Sequence, residues 1–291
     1  MIVEAFGKIN WSLDITGLRP DGYHLLDMLM QPVSLADRME ILPASELTLS
    51  VSGPSGKGVP ADEGNLALRA ALLLKKTAGT RQGAAISLTK RIPVQAGMGG
   101  GSSDAAAVLN ALNLLWRTGL TGAELEEMSL ALGADVPFLV QGGLARSSGI
   151  GEKLARLPCG RNYPLLVLQP EEGLSTGEVF RAWHREAPAE KPRTDLAAEA
   201  LRSGSVPAFA PAFRNVLEPV SRRLNPEIQA CLDALQAAGA VPALMTGSGS
   251  AVFGVFEEEE ARDAAWVSLS RSFRKIWRCA TQSESFRILS P

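Results

Sequence analysis

The sequence predicts a mixed fold of strands and helices around one glycine-rich turn, and three observations predict it. Residues Lys8–Thr16 alternate, with Ile9, Trp11, Leu13 and Ile15 apolar against polar Lys8, Asn10, Ser12 and Asp14, the pattern of a half-buried strand. Residues Ser103–Trp116 instead repeat at helical spacing through Leu109, Leu112 and Leu115, among alanines that favour a helix. Between a strand over Ala84–Thr89 and that helix stand Gly97, Gly99, Gly100 and Gly101. At 291 residues the chain suits one large domain or two modest ones. A boundary near Leu157–Pro164 divides it into residues 1–160 and 161–291.

The elements follow in order. Ile2–Phe6 is expected to form a short strand and Lys8–Thr16 a second. Lys8 and Asn10 then share a face, which is either the solvated side of an edge strand or a pair reaching a phosphate or a hydroxyl. In Pro20-Asp21-Gly22 the proline fixes φ and the glycine takes the left-handed position, so a tight turn presents Tyr23 and His24 together. Those rings either pack and cap, or offer an aromatic face and a hydrogen-bonding edge to a flat heterocycle. Leu25–Leu42 reads as one or two strands, Leu47–Val51 as another, and Ser52–Gly64 as a loop. A helix follows over Asn65–Lys76, with Asn65 as its cap or as a contact to a nucleotide base. Thr121 and Glu124 have capping-box spacing and open a helix expected to reach Leu132 and close at Gly133. Asp135, two residues before Pro137, is either an N-cap or a carboxylate held as a base. Beyond Leu144–Leu157, read as strand and turn, come a strand at Leu165–Leu168 and a helix at Ser175–Trp183 carrying Phe180. Ala187–Arg193 and Gly204–Pro211 read as proline-rich connections and Asn225–Ala238 as a helix. Thr246-Gly247-Ser248-Gly249-Ser250 is either a β-turn or a second loop beside a ligand. Glu257–Glu260 opens a helix, and Lys275–Thr281 is the closing strand.

The central turn reads Pro93, Val94, Gln95, Ala96, Gly97, Met98, Gly99, Gly100, Gly101, Ser102, Ser103. Glycines let a ligand approach the backbone, and Ser102 and Ser103 are natural cap residues. The unpaired N–H groups of a helix N-terminus attract negative charge, so the stretch reads as an anion cradle for a polyphosphate. It lacks the lysine of a Walker loop, and Ser102 stands where the dinucleotide fingerprint needs glycine. No protein-kinase catalytic loop or Asp-Phe-Gly occurs.

Composition excludes other classes. A net charge of −2 and no basic stripe with interleaved aromatics argue against nucleic acid. No apolar run is long enough to span a bilayer, and the N-terminus lacks a signal-peptide core. Cys159, Cys231 and Cys279 lie far apart, and His24 and His184 gather no metal-ligand cluster. A soluble cytoplasmic protein is expected.

The pattern Pro-x-x-x-Gly-Met-Gly-Gly-Gly-Ser-Ser resembles the phosphate loop of the GHMP kinases, and the triple glycine before Ser-Ser-Asp resembles their 4-diphosphocytidyl-2-C-methyl-D-erythritol kinase branch. Four further segments, in order, resemble that branch: Gly7-Lys8-Ile9-Asn10, Arg19-Pro20-Asp21-Gly22-Tyr23-His24, Gly133-Ala134-Asp135-Val136-Pro137-Phe138 and Thr246-Gly247-Ser248-Gly249. Phe6 and Gly7 stand for its usual proline and alanine, and Met98 for the commoner leucine. The resemblance implies a two-domain α+β fold. Its N-terminal ribosomal-protein-S5-like domain has a left-handed crossover, and its C-terminal domain is α/β-plait-like. It implies ATP-dependent phosphorylation of the 2-hydroxyl of 4-diphosphocytidyl-2-C-methyl-D-erythritol in non-mevalonate isoprenoid biosynthesis, by a monomer or weak homodimer. It assigns Lys8 and Asp135 to catalysis, Pro93–Ser103 to the ATP phosphates, Tyr23 and His24 to the cytosine, Phe180 to that base's other face, and Asn10 to the substrate. Mg²⁺ is expected to ride on the nucleotide phosphates, without a dedicated protein metal site. The alternatives are another GHMP kinase, for homoserine, mevalonate or a sugar, and a catalytically silent nucleotide-binding sensor.

Overall fold

The computed structural model describes residues 1–184 and 190–290. Its first strand, β1 (Ile2–Leu18), runs unbroken where two strands were expected. Gly7 does not end it. The register with β2 (His24–Ala44) shifts between Phe6 and Lys8, between Asn10 and Ser12, and between Ile15 and Gly17, so bulges absorb the irregularities. β2 is likewise one strand, long enough to serve two partners. Its start pairs with β5 (Leu144–Gly149) and its end with β4 (Gly83–Thr89).

β3 (Leu47–Ser52) lies parallel to β4. The chain crosses between them through α1 (Leu66–Ala78), which begins at the Asn65 cap and ends at left-handed Gly79 after Lys75 and Lys76. α2 (Gly100–Trp116), α3 (Gly122–Ser129) and α4 (Val136–Gln141) follow. The Thr121–Glu124 capping box is present, but α3 stops at Ser129 rather than Leu132. Leu130, Ala131 and Leu132 donate three residues back, to Glu127, Met128 and Ser129, so the chain tightens beyond α-helical winding. β5 then pairs with β6 (Lys153–Leu157), completing one branch of a seven-stranded sheet.

From β7 (Pro164–Leu168) the chain builds a second, four-stranded sheet, in which β7 lies between the strands over Ile276–Ala280 and Val252–Val255. Around it lie α5 (Thr176–Trp183), α6 (Thr194–Ser203), α7 (Glu218–Leu224) and α8 (Glu227–Ala237). Then come β8 (Ala243–Met245), β9 (Val252–Val255), α9 (Glu259–Leu269) and β10 (Ile276–Ala280). The connection expected over Ala187–Arg193 lies partly outside the described residues. α6 and α7 were not anticipated, and a 3₁₀ turn over Pro207–Ala212 occupies the second expected connection. The expected closing strand is β10, but the chain continues into β11 (Phe286–Ser290), which pairs with Ile2–Ala5. Both chain ends thus meet in the first sheet.

Trp11 joins the two halves. It is fully buried, with its ring centroid 6.0 Å from Tyr163, 5.6 Å from Phe213 and 5.7 Å from Phe253, while its Nε1 donates to Gln31 Oε1 at 2.9 Å. This aromatic cluster packs β1 against the second sheet and leaves a cleft on the neighbouring stretch of β1. No helix among the described residues is long and apolar enough to cross a membrane.

Candidate active site

The glycine turn is anchored at both ends by a buried ionic group. Lys90, just beyond β4, directs its ammonium at Asp37 of β2 and at Asp104 of α2, with Asp104 Oδ2 at 2.6 Å. Asp37 Oδ1 accepts the N–H groups of Arg91 and, at 2.9 Å, Ile92. Burial holds the Asp104 carboxyl well above the usual carboxylate range, and the Lys90 ammonium acts against it. Burial also pulls Lys90 down, but the Asp104 and Asp37 carboxylates outweigh it and its ammonium is held above the ordinary lysine value.

Ser102 and Ser103 are not caps, contrary to expectation. The N-cap is Gly99, with φ 68°, and α2 begins three residues before Ser103. A left-handed cap lets the turn close directly into the helix, which absorbs Gly100 and Gly101. The helical ladder opens with Ser103 N–H donating to Gly99 O at 2.8 Å, so the amides of Gly100, Gly101 and Ser102 precede it. The Ser103 hydroxyl is turned inward onto Phe6 O at 2.5 Å.

Lys8 faces this helix mouth. Its backbone N–H donates to Met98 O at 2.9 Å. Its Nζ donates to Asn10 Oδ1 at 2.6 Å and Gly97 O at 2.9 Å, and stands 3.6 Å from Asp135 Oδ2. The edge-strand reading fails here, because Lys8 and Asn10 are both buried and their backbone N–H groups on the side away from β2 are taken by Met98 O and the Thr246 hydroxyl. Asp135 occupies the N-cap position of α4, yet it has helical backbone angles and its side chain makes no capping bond. Its carboxylate is 31% exposed and lines the cleft.

Tyr23 and His24 follow the Pro20–Gly22 turn as expected, with Gly22 at φ 88° and Arg19 N–H closing on Tyr23 O at 2.8 Å. Tyr23 is 60% exposed. The His24 ring meets Phe180 at 5.0 Å and Trp183 at 5.7 Å, and its buried Nε2 makes no hydrogen bond within the protein. Burial, then the neighbouring His184, lowers the His24 pKa. Trp183 and His184 escaped the sequence reading. The signal was the i, i+3, i+4 spacing that puts them on one helical face with Phe180.

These groups enclose one cavity of about 620 Å³, within the ~300–1,000 Å³ range of small-molecule sites. Lys8, Asn10, Asp135, Tyr23, His24, Phe180 and every residue from Pro93 to Ser102 line it. Gly247 and Ser248 close it from the C-terminal side. Two sequence candidates stand outside its lining. Ser103 is behind the helix mouth, and Asn65 spends its side chain on the Ala67 amide at 2.9 Å and Pro60 O at 2.7 Å, which gives it the cap role. Lys90 and Asp37, which tie the turn down, were not singled out from sequence. A glycine-lined helix mouth, an ammonium–carboxylate pair and an aromatic end thus share one space.

The GHMP kinases N terminal domain model matches residues 65–143, and the GHMP kinases C terminal model matches residues 197–275. The chain is 44% identical over 271 residues to a 4-diphosphocytidyl-2-C-methyl-D-erythritol kinase of Pelotomaculum thermopropionicum, covering 91% of this chain and 93% of the relative. Its counterpart in Symbiobacterium thermophilum is 44% identical over 282 residues, covering 95% and 98%. A crystal structure of 4-(cytidine 5'-diphospho)-2C-methyl-D-erythritol kinase superposes with a TM-score of 0.82 at 37% identity, over 97% of this chain and 100% of that one. A homoserine kinase from Cytophaga hutchinsonii, at 17% identity and a TM-score of 0.78 over 99% and 97% of the two chains, shares the fold.

Proposed function

The chain belongs to the 4-diphosphocytidyl-2-C-methyl-D-erythritol kinases of the GHMP kinase family, and on that premise we propose that its cavity transfers the γ-phosphoryl group of ATP to the 2-hydroxyl of 4-diphosphocytidyl-2-C-methyl-D-erythritol, a step of non-mevalonate isoprenoid biosynthesis. The observation that carries the reading is the Lys8–Asp135 pair facing the N-terminus of α2 inside one cavity.

The chemistry follows from that arrangement. The amides of Gly100, Gly101 and Ser102 and the helix dipole receive the phosphates. Asp135 accepts the proton of the attacking hydroxyl as the new O–P bond forms, and the bond to the β-phosphate oxygen breaks to release ADP. Lys8 offsets charge on the transferring group and orients the nucleophile, in a reaction where positioning and electrostatics dominate. Asn10, bonded to Lys8, holds the substrate side. His24 and Phe180 are in direct ring contact, so the cytosine lies beside that pair and against Tyr23 rather than between them.

Mg²⁺ fits as a passenger of the nucleotide. Among the described residues no group of three or more His, Cys, Asp or Glu side chains converges on a point. Carried on the nucleotide, it would be held by triphosphate oxygens and water and would supply charge neutralisation on the phosphates. The three thiols are free, which suits the cytoplasm, where we place a monomer or weak homodimer. A coupled assay of ADP release tests the reading, with the diphosphocytidyl alcohol set against mevalonate and homoserine. Turnover with the first alone is expected, and preference for either of the others overturns it.

A further inference from the structure

The C-terminal glycine turn after β8 is held from behind by one short segment. The Asn215 carboxamide, buried, donates from Nδ2 to Met245 O at 2.9 Å and Gly247 O at 2.7 Å, while its Oδ1 accepts the Leu217 N–H at 3.0 Å. Glu218 Oε2 accepts the Met245 N–H at 3.1 Å, and the Ser221 hydroxyl donates to Ser248 O at 3.3 Å. The two carbonyls that Asn215 grips flank Thr246. The Thr246 hydroxyl accepts the backbone N–H of Asn10 at 3.1 Å and donates to Gly97 O at 3.2 Å. Gly97 O is also the acceptor of the Lys8 ammonium.

We infer that Asn215 is a positioning residue for phosphoryl transfer, setting the Lys8 ammonium through Thr246 and the Gly97 carbonyl. The relay is anchored on one strand at both ends. Lys8 and Asn10 lie on β1, and the Asn215 segment is fastened to Leu13 of the same strand, with Leu13 N–H on Arg214 O at 2.9 Å and Val216 N–H on Leu13 O at 3.0 Å. One amide nitrogen with two hydrogens can hold two carbonyls at once, and neither a carboxylate nor a hydrocarbon can do so. The buried carbonyls therefore make this position chemically specific.

The inference rests on the assignment of Lys8 to the reaction. Asn215→Asp keeps the shape and removes both donors. A displacement of about 1 Å at reacting groups can cost ~10²-fold, so kcat is expected to fall about 10–100-fold while the KM values for ATP and the alcohol hold. A variant whose melting temperature falls but whose kcat is intact well below that temperature overturns the inference. Thr246→Val cuts the same relay, so Asn215→Asp with Thr246→Val should lose no more than the worse single variant, and multiplying losses overturn it. If Asn215→Asp does not fold, Thr246→Val carries the test by itself, and an undiminished kcat overturns the relay. Lys8→Met separates the two levels. Full turnover in it removes the Lys8 reading and this inference together, whereas lost turnover in it beside intact kcat in Asn215→Asp and Thr246→Val removes only the relay.

Discussion

Lys8 Nζ lies 3.6 Å from Asp135 Oδ2, joining the first strand to the start of α4, and the two groups sit in unequal surroundings. Lys8 is buried and already donates to Asn10 and Gly97. Asp135 has no capping bond and opens to the cavity. The ammonium is therefore fixed, and the carboxylate is the partner available to a reacting hydroxyl.

Asp135→Asn should consequently separate chemistry from stability. A lost general base costs about 10²–10⁴-fold in kcat. Because the side chain caps nothing, the melting temperature should stay near the parent value. Steady-state kinetics beside a thermal melt checks both, and a stability loss with normal kcat would return Asp135 to a structural role.

Gly97 and Gly101 make contrasting demands. Gly97 has φ 71°, and a Cβ built on it would overlap the Thr246 carbonyl oxygen, so Gly97→Ala must force the two glycine turns apart. Activity and melting temperature should fall together. At Gly101 the nearest atom to an added Cβ is Leu66 Cδ1 at 3.6 Å, and alanine favours a helix over glycine by about 1 kcal/mol. Gly101→Ala should keep or raise the melting temperature, while its methyl at the cavity wall raises the KM for ATP. Equal thermal damage in both variants would contradict this account of the turn.

Lys90→Met removes the cation that two buried carboxyl groups share. Breaking a buried ion pair from one side costs roughly 3–5 kcal/mol, which urea unfolding at neutral pH would read. The pH dependence has a definite sign. Asp104 titrates above its unfolded value because of burial, so between those two values the folded state binds more protons and stability rises as pH falls. Lys90, itself held high, adds stability that is present below the ordinary lysine range and is lost as pH rises through its folded value. The deficit of Lys90→Met should shrink on acidification as Asp104 protonates. A deficit that grew towards low pH would place the Asp104 proton elsewhere.

Many local signals were legible in the sequence, although the start of α2 and the end of α3 fell elsewhere than their cap residues indicate. The glycine turn, the Pro20–Gly22 turn, the Asn65 cap and the Thr121 capping box all depend on neighbours within a few residues. What was not legible depends on distant partners. Alternation along Lys8–Thr16 marks a strand but cannot reveal that Trp11 packs on Tyr163, Phe213 and Phe253, or that Thr246 covers Asn10. Asp37 looked like any polar residue of a long strand, because its worth lies in the Arg91 and Ile92 amides that it receives. α7 was missed for a related reason. Leu217, Val220 and Leu224 have helical spacing but span only two turns, too short a run to stand out, while Leu217 and Val220 are buried in the core and Glu218 and Ser221 hold the distant glycine turn.

His24 should decide which base is accepted. Its ring is braced by Phe180 and Trp183 and the residue lines the cavity, so it can meet a ligand with little freedom to lose. Burial and His184 lower its pKa, which keeps the ring neutral at pH 7, with one donor and one acceptor nitrogen. Cytosine presents an exocyclic amino donor beside ring-nitrogen and carbonyl acceptors, and uracil reverses that edge. His24→Ala should therefore weaken the cytidine substrate by roughly 1–3 kcal/mol, on the order of ten- to a hundredfold in kcat/KM, and narrow its advantage over the uridine analogue. The KM for ATP, proposed to bind at the glycine-turn end of the cavity, should barely move. In the parent protein the cytidine preference should hold at neutral pH and decline as pH falls through the lowered value of His24, where the protonated ring can only donate. That decline should vanish in His24→Ala. A changed KM for ATP with the base preference intact would show that His24 supports the fold of the cleft and does not read the base.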